Sequence, residues 1–151
     1  MIMSSYEFVN KVDILLVEDN PGDVLLTQEA FRSSKLINDL HVVVDGEEAT
    51  KFLRKEDGYV DVPRPDLILL DLNLPKKDGR EVLRDIKSDE TLKSIPVIVL
   101  TSSEAEEDVL ISYNLHANCY ITKPVTLDSF ISVLHKIEEF WLEIVKIPKI
   151  Y

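Results

Sequence analysis

The chain has 151 residues, 45% of them hydrophobic and 30% charged, with a formal net charge of −11. That length suits one domain with a full core, and the acidic balance argues against nucleic-acid or anionic-membrane partners, whose phosphates require basic patches. A single cysteine, Cys119, excludes an intrachain disulfide; the first ten residues lack the segments of a secretory signal, and no apolar run reaches membrane-spanning length, so a cytoplasmic location is expected.

Short apolar runs alternate with helical patterns along the chain. Val12 to Val17 predicts a first strand ending in Glu18-Asp19. Asn20-Pro21-Gly22-Asp23 then opens a helix, with Asp19 or Asn20 as cap and Pro21 in the first turn, running to about Ser33. A second strand is expected over Leu40 to Val44, followed after Asp45-Gly46 by a helix to about Leu53. Arg54 to Pro65, with one glycine and two prolines, reads as a loop. Leu67 to Leu70 is uninterruptedly apolar and ends at Asp71, the pattern of a central strand covered on both faces. Leu74 to Gly79 forms a turn before a helix to about Lys87. Ile95 to Leu100 is the fourth strand, and Thr101-Ser102-Ser103 leads into a helix from about Glu104. Ala117 to Ile121 is the fifth strand, Lys123-Pro124 follows, and the last helix is expected from Leu127 to Val145. Strict alternation of five strands and five helices predicts an α/β, doubly wound parallel sheet of flavodoxin-like order 2-1-3-4-5, a single domain with an extended C-terminal helix.

In such a sheet, ligands gather at the carboxyl ends of the strands. There the sequence places Glu18 and Asp19 after the first strand, Asp71 after the third, Thr101 after the fourth and Lys123 just past the fifth. Each has an ordinary explanation alone: a helix cap, a β-former, a turn. Together they form a site. Three converging carboxylates repel one another, and a hard divalent cation, Mg²⁺ or Mn²⁺, relieves that conflict with oxygen ligands while leaving positions open for phosphate oxygens. Asp71 can then attack phosphorus, with Lys123 and the Thr101 hydroxyl meeting the phosphoryl oxygens. No glycine-rich phosphate loop is present, so a phosphoprotein is a better donor than a nucleotide.

The motifs Ile14 to Asn20, Asp71-Leu72-Asn73-Leu74-Pro75 with Asp78-Gly79, Thr101-Ser102, and Tyr120-Ile121-Thr122-Lys123-Pro124 give the chain a clear resemblance to receiver domains of two-component response regulators, over about Val12 to Glu138. The resemblance implies that Asp71 is the phosphoacceptor for a sensor histidine kinase. Asp19 would ligate the metal directly, Glu18 through water, and Asn73 through its backbone carbonyl. It implies Thr101 and Lys123 as phosphoryl ligands, a cis Lys123–Pro124 peptide, and Tyr120 as the aromatic that swings inward with Thr101. The side chains of Asn73 and Ser103 would tune dephosphorylation. Asn118-Cys119, His116, the loop from Arg54 to Pro65 and the tail Phe140-Trp141-Leu142 resemble the small regulators that serve cyanobacterial phytochrome-type kinases.

Leu127, Phe130, Ile131, Leu134, Ile137, Trp141 and Ile144 form an apolar stripe at helical spacing, expected to face the core. Residues 140–145 are apolar nearly all round, which predicts a homodimer contact through Phe140, Trp141 and Ile144. The expected organisation is an N-terminal extension over 1–11, a receiver domain over 12–138, and a helical extension over 139–151, with output by protein contact or onward phosphotransfer and no enzymatic activity beyond Mg-dependent self-phosphorylation and slow self-dephosphorylation. His41, His116 and His135 share no ligand spacing and are expected to be structural, and Cys119 to be a small buried hydrophobe. A haloacid dehalogenase-type phosphatase is disfavoured because the general acid it needs two residues after the nucleophile is here Asn73. A flavin or nucleotide module is disfavoured by the missing phosphate loop.

Overall fold

The computed structural model describes residues 11–101, 104–112, 114–115, 117–123 and 126–140. Its elements are β1 (Lys11–Val17), α1 (Pro21–Arg32), β2 (Ile37–Val43), α2 (Gly46–Arg54), β3 (Leu67–Asp71), α3 (Gly79–Ser88), β4 (Val97–Thr101), α4 (Glu104–Ser112), β5 (Cys119–Thr122) and α5 (Leu127–Phe140). The five strands form one parallel sheet in the order β2-β1-β3-β4-β5.

Element identity follows the sequence pattern, and the differences lie at the boundaries. β2 starts three residues earlier than expected, because its alternating pattern extends the parallel ladder from Lys11↔Ile37 onward. β4 starts after Pro96, which has no N–H to give to a ladder. β5 starts at Cys119 because Asn118 serves as a corner, its amide donating to Val97 O at 2.8 Å and its Oδ1 accepting from Val97 N at 2.9 Å.

β3 and β4 are buried at every position, as continuous apolar runs should be when helices cover both faces. One face packs β1, β3 and β4 against α2 and α3 through Phe52, Val82, Leu83 and Ile86, with Leu110 of α4 at the margin. The other packs the alternate residues against α1 and α5 through Phe31, Phe130 and Leu134, the two phenylalanines meeting edge to face at 5.9 Å. Each fully buried leucine or isoleucine contributes about 1.5–3 kcal/mol. The expected stripe on α5 holds at Phe130, Leu134 and Ile137, but Leu127 is 45% exposed: it stands at the helix start, beyond the sheet it would have to reach.

Two features tie distant segments together. The loop between α2 and β3 is not loose: the Tyr59 ring packs at a tilt against Phe52, which in turn packs at a tilt against His41, and the Tyr59 hydroxyl donates to Glu48 at 2.6 Å. Arg64 then donates to the carbonyl of Thr91 at 3.0 Å. On α5, the buried Glu138 carboxylate accepts from the Ser34 hydroxyl at 2.9 Å and the Lys35 amide at 2.7 Å, fastening the last helix to the turn between α1 and β2. His41 is structural, with Nε2 3.3 Å from Asp13 Oδ1. Cys119 is partly buried against the α1/α5 face.

Candidate phosphoacceptor site at the carboxyl edge of the sheet

Strand register brings the site residues to one level. Val17 pairs with Leu70, so Glu18, the next residue, stands beside Asp71. Asp71 pairs with Leu100, so Thr101 lies one step beyond it, and Thr101 pairs with Thr122, one residue before Lys123. The Lys123 amide donates to Thr101 O at 2.7 Å, prolonging the ladder past β5. The Glu18 amide donates to Val43 O at 3.0 Å and so anchors that residue to β2.

The turn after β3 is fixed by glycine. A Cβ on Gly79 would lie 2.3 Å from Asp71 O and 2.6 Å from Leu72 Cα, so only glycine lets the start of α3 approach the end of β3 this closely. Gly79 also donates its amide to Leu72 O at 3.0 Å, and Asp78 caps the helix by accepting from Arg80 N at 2.7 Å.

Glu18 and Thr101 are fully buried and Asp71 is 2% exposed, while Asp19 faces solvent. The Lys123 ammonium reaches into this group. Its Nζ is 2.9 Å from Glu18 Oε1, 3.1 Å from Asp71 Oδ2 and 3.0 Å from Asp23 Oδ2. The other Asp71 oxygen, Oδ1, accepts from the Asn73 amide at 3.0 Å. Burial, then the hydrogen bond to Asp71, pushes the Glu18 carboxyl up to about 7, although Lys123 and the Asn20 amide pull the other way. Burial tends to lower Lys123, but its hydrogen bonds to Glu18, Asp23 and Asp71 outweigh this and hold it above its ordinary value.

One carboxylate oxygen each from Glu18, Asp19 and Asp71 can be chosen so that all three lie within 4.8 Å of one another. A hard, all-oxygen donor set backed by a buried glutamate with a raised pKa fits a divalent cation such as Mg²⁺ or Mn²⁺. A second such group, Asp13, Asp39 and His41, lies on β1 and β2, but there Asp39 is taken by Lys11 at 2.7 Å.

Thus Glu18, Asp19, Asp71, Thr101 and Lys123 all reach one edge. Tyr120 lies on β5 beside β4, half-buried, its hydroxyl accepting from the Ala117 amide at 3.0 Å. Ser103, Pro124, Trp141 and Ile144 lie outside the described residues, as does the side chain of Phe140. Sequence reasoning missed Asp23 as a site residue and took it only as part of a helix start. Its position three residues after the Asn20 cap, on the turn that rises from Glu18 and Asp19, is the signal that would have found it.

Residues 14–135 match the family described as response regulator receiver domain. The chain is 52% identical over 135 residues to the response regulator Rcp1 of Synechocystis, covering 89% of this chain and 92% of that protein. Among solved structures, it is similar to the phosphorylated cyanobacterial phytochrome response regulator RcpA, with 55% identity and a TM-score of 0.77 over 88% of this chain and 95% of the other. It is also similar to the Mn²⁺-bound form of Rcp1, with 51% identity and a TM-score of 0.76 over 89% and 96%.

Proposed function

The chain belongs to the response regulator receiver domain family and is a signalling protein of two-component pathways, and on that premise we propose that Asp71 carries the phosphoryl group in a switch driven by a sensor histidine kinase, a bacterial phytochrome in particular. The reading rests on one observation: Asp71, buried at the sheet edge, has one oxygen held by the Asn73 amide and the other 3.1 Å from the Lys123 ammonium. In the transfer, an Asp71 carboxylate oxygen forms the new O–P bond as the N–P bond of the kinase's phosphohistidine breaks and the imidazole leaves. Asp19, Asp71 and the Asn73 backbone carbonyl, with Glu18 through water, would hold a Mg²⁺ ion, which would neutralise charge on the phosphoryl oxygens. Lys123 pairs with one of these oxygens, and the Thr101 hydroxyl donates to another. Asn73 and Ser103 flank the approach of water and set how long the phosphoryl group survives.

The phosphoryl group adds about −1.5 to −2 charges. That charge draws Thr101 and Tyr120 inward and reshapes the surface of α4, β5 and α5, through which the signal leaves as protein contact. The receiver spans 12–138, and the segment 139–151 serves a homodimer through Phe140, Trp141 and Ile144. The kinase assignment is supported by the phytochrome response regulators among similar proteins.

The protein incubated with Mg²⁺ and acetyl phosphate should gain one phosphoryl group by intact mass, and beryllofluoride should shift its oligomer size. Asp71→Asn should abolish both. A wild-type protein whose mass stays unchanged would refute the switch.

A further inference from the structure

Asp23 stands outside the acidic trio, yet it holds the catalytic lysine as closely as the buried acids do. Its Oδ2 is 3.0 Å from Lys123 Nζ, against 2.9 Å for Glu18 and 3.1 Å for Asp71. The Asp23 side chain is 26% exposed, where those two are 0% and 3% exposed, so it grips the ammonium from the solvent side. Its backbone is fixed: the amide donates to Asn20 Oδ1 at 3.1 Å, and the carbonyl accepts from the Thr27 hydroxyl at 2.8 Å. An acid in a first helical turn has an ordinary role with the helix dipole. That role requires no cation partner, whereas this carboxylate is turned onto a lysine just past β5, 100 residues further along the chain.

Electrostatics gives the contact a purpose. A divalent ion bound by Glu18, Asp19 and Asp71 competes with Lys123 for two of the lysine's three carboxylates, and the two cations repel at short range. Asp23 is the partner the ion does not claim. We propose that Asp23 is a positioning residue for Lys123: it holds the ammonium at the solvent edge of the site, so that lysine and divalent cation are accommodated together and the lysine stays within reach of an incoming phosphoryl oxygen. This rests on the receiver reading of the site.

The test uses the full chain and Mn²⁺ binding by calorimetry. Asp23→Asn should weaken Mn²⁺ binding about 3- to 10-fold, equivalent to about 0.7–1.4 kcal/mol. Asp23→Glu should restore it to within about 2-fold. In a Lys123→Met background, Asp23→Asn should cost less than about 2-fold, since only bulk charge is then lost. Equal losses in the two backgrounds, or no loss in either, would overturn the proposal. A second readout needs no lysine variant: in the Mg²⁺-loaded wild type the Lys123 ammonium protons should be slow to exchange by ¹⁵N NMR, and Asp23→Asn should bring them to the rate of a surface lysine. Unchanged exchange would also overturn it. A wild type that binds no Mn²⁺ and takes no phosphoryl group is a different outcome, failing the receiver reading itself. In that case the metal-free Asp23–Lys123 contact would still be read by the same exchange measurement.

Discussion

Helices α3 and α4 flank the site from adjacent strands, yet they are held in different ways. α3 buries Gly79, Val82, Leu83 and Ile86, and its first residue is wedged against the backbone of Asp71 and Leu72. Among the described side chains of α4, only Leu110 is buried, while Val109 is 46% exposed and Ile111 42% exposed. A charged contact joins the two helices, from Arg80 Nη2 to Glu106 Oε2 at 2.6 Å, with Arg80 also bound to Asp78. Asp71 thus sits against the closely packed helix, and Thr101 leads into the lightly packed one. The switch proposed above would use this asymmetry, because it asks Asp71 to stay in place while the neighbouring surface changes.

The contrast is open to attack first through packing. Leu83→Ala should cost about 3 kcal/mol in chemical denaturation, whereas Ile111→Ala should change stability by under about 0.5 kcal/mol. Gly79→Ala belongs with the large effects, at about 3 kcal/mol, and should weaken metal binding too, because the added methyl meets backbone and not a movable side chain. Similar losses at positions 83 and 111 would erase the distinction between the two helices.

A middle-sized effect concerns the buried carboxyl beside Asp71, at the end of β1. The Glu18 carboxyl is raised from its ordinary 4.5 to about 7 in the folded protein. A raised carboxyl favours the fold fully below the unfolded value and loses that contribution as pH climbs through the folded value. In EDTA, the Tm should therefore fall by roughly 5 °C between pH 5 and pH 8. Saturating Mg²⁺ should flatten the slope, and so should Glu18→Gln. A metal-free Tm that rises over that interval would contradict the burial argument.

The smallest effect is at the contact between the two helices. Arg80→Ala should cost less than about 1 kcal/mol, with a loss that shrinks at high salt, because the arginine is a third exposed. Its interest is kinetic. If α4 is the more lightly packed helix, Arg80→Ala should alter the beryllofluoride-induced change in amide exchange over 104–112 more than it alters global stability.

Much of this was legible in the residue pattern. Leu67 to Asp71 declared a central strand because a parallel sheet between helices permits no alternation, and the acids at 18, 19 and 71 were found because the fold class says where strands end. The limits of β2, β4 and β5 were not, since they depend on partners: Asn118 bonding Val97, and β1 extending its neighbour's ladder back to Ile37. Asp23 was missed for a similar reason. A first-turn acid looks the same whether it serves a helix dipole or a lysine that lies 100 residues away. The exposure of Leu127 was hidden too, because periodicity gives the face of a helix but not where the sheet beneath it stops.

The Glu138 carboxylate has a consequence for where this polypeptide can be cut. Among the described residues it is the last whose side chain is seen to close on a distant part of the chain, through the Ser34 hydroxyl and the Lys35 amide. Trimming back to residue 139 spares that clasp, whereas stopping at 137 strips an amide of its acceptor beneath the final helix. A single acid thus decides whether a shortened chain keeps the amide of Lys35 satisfied.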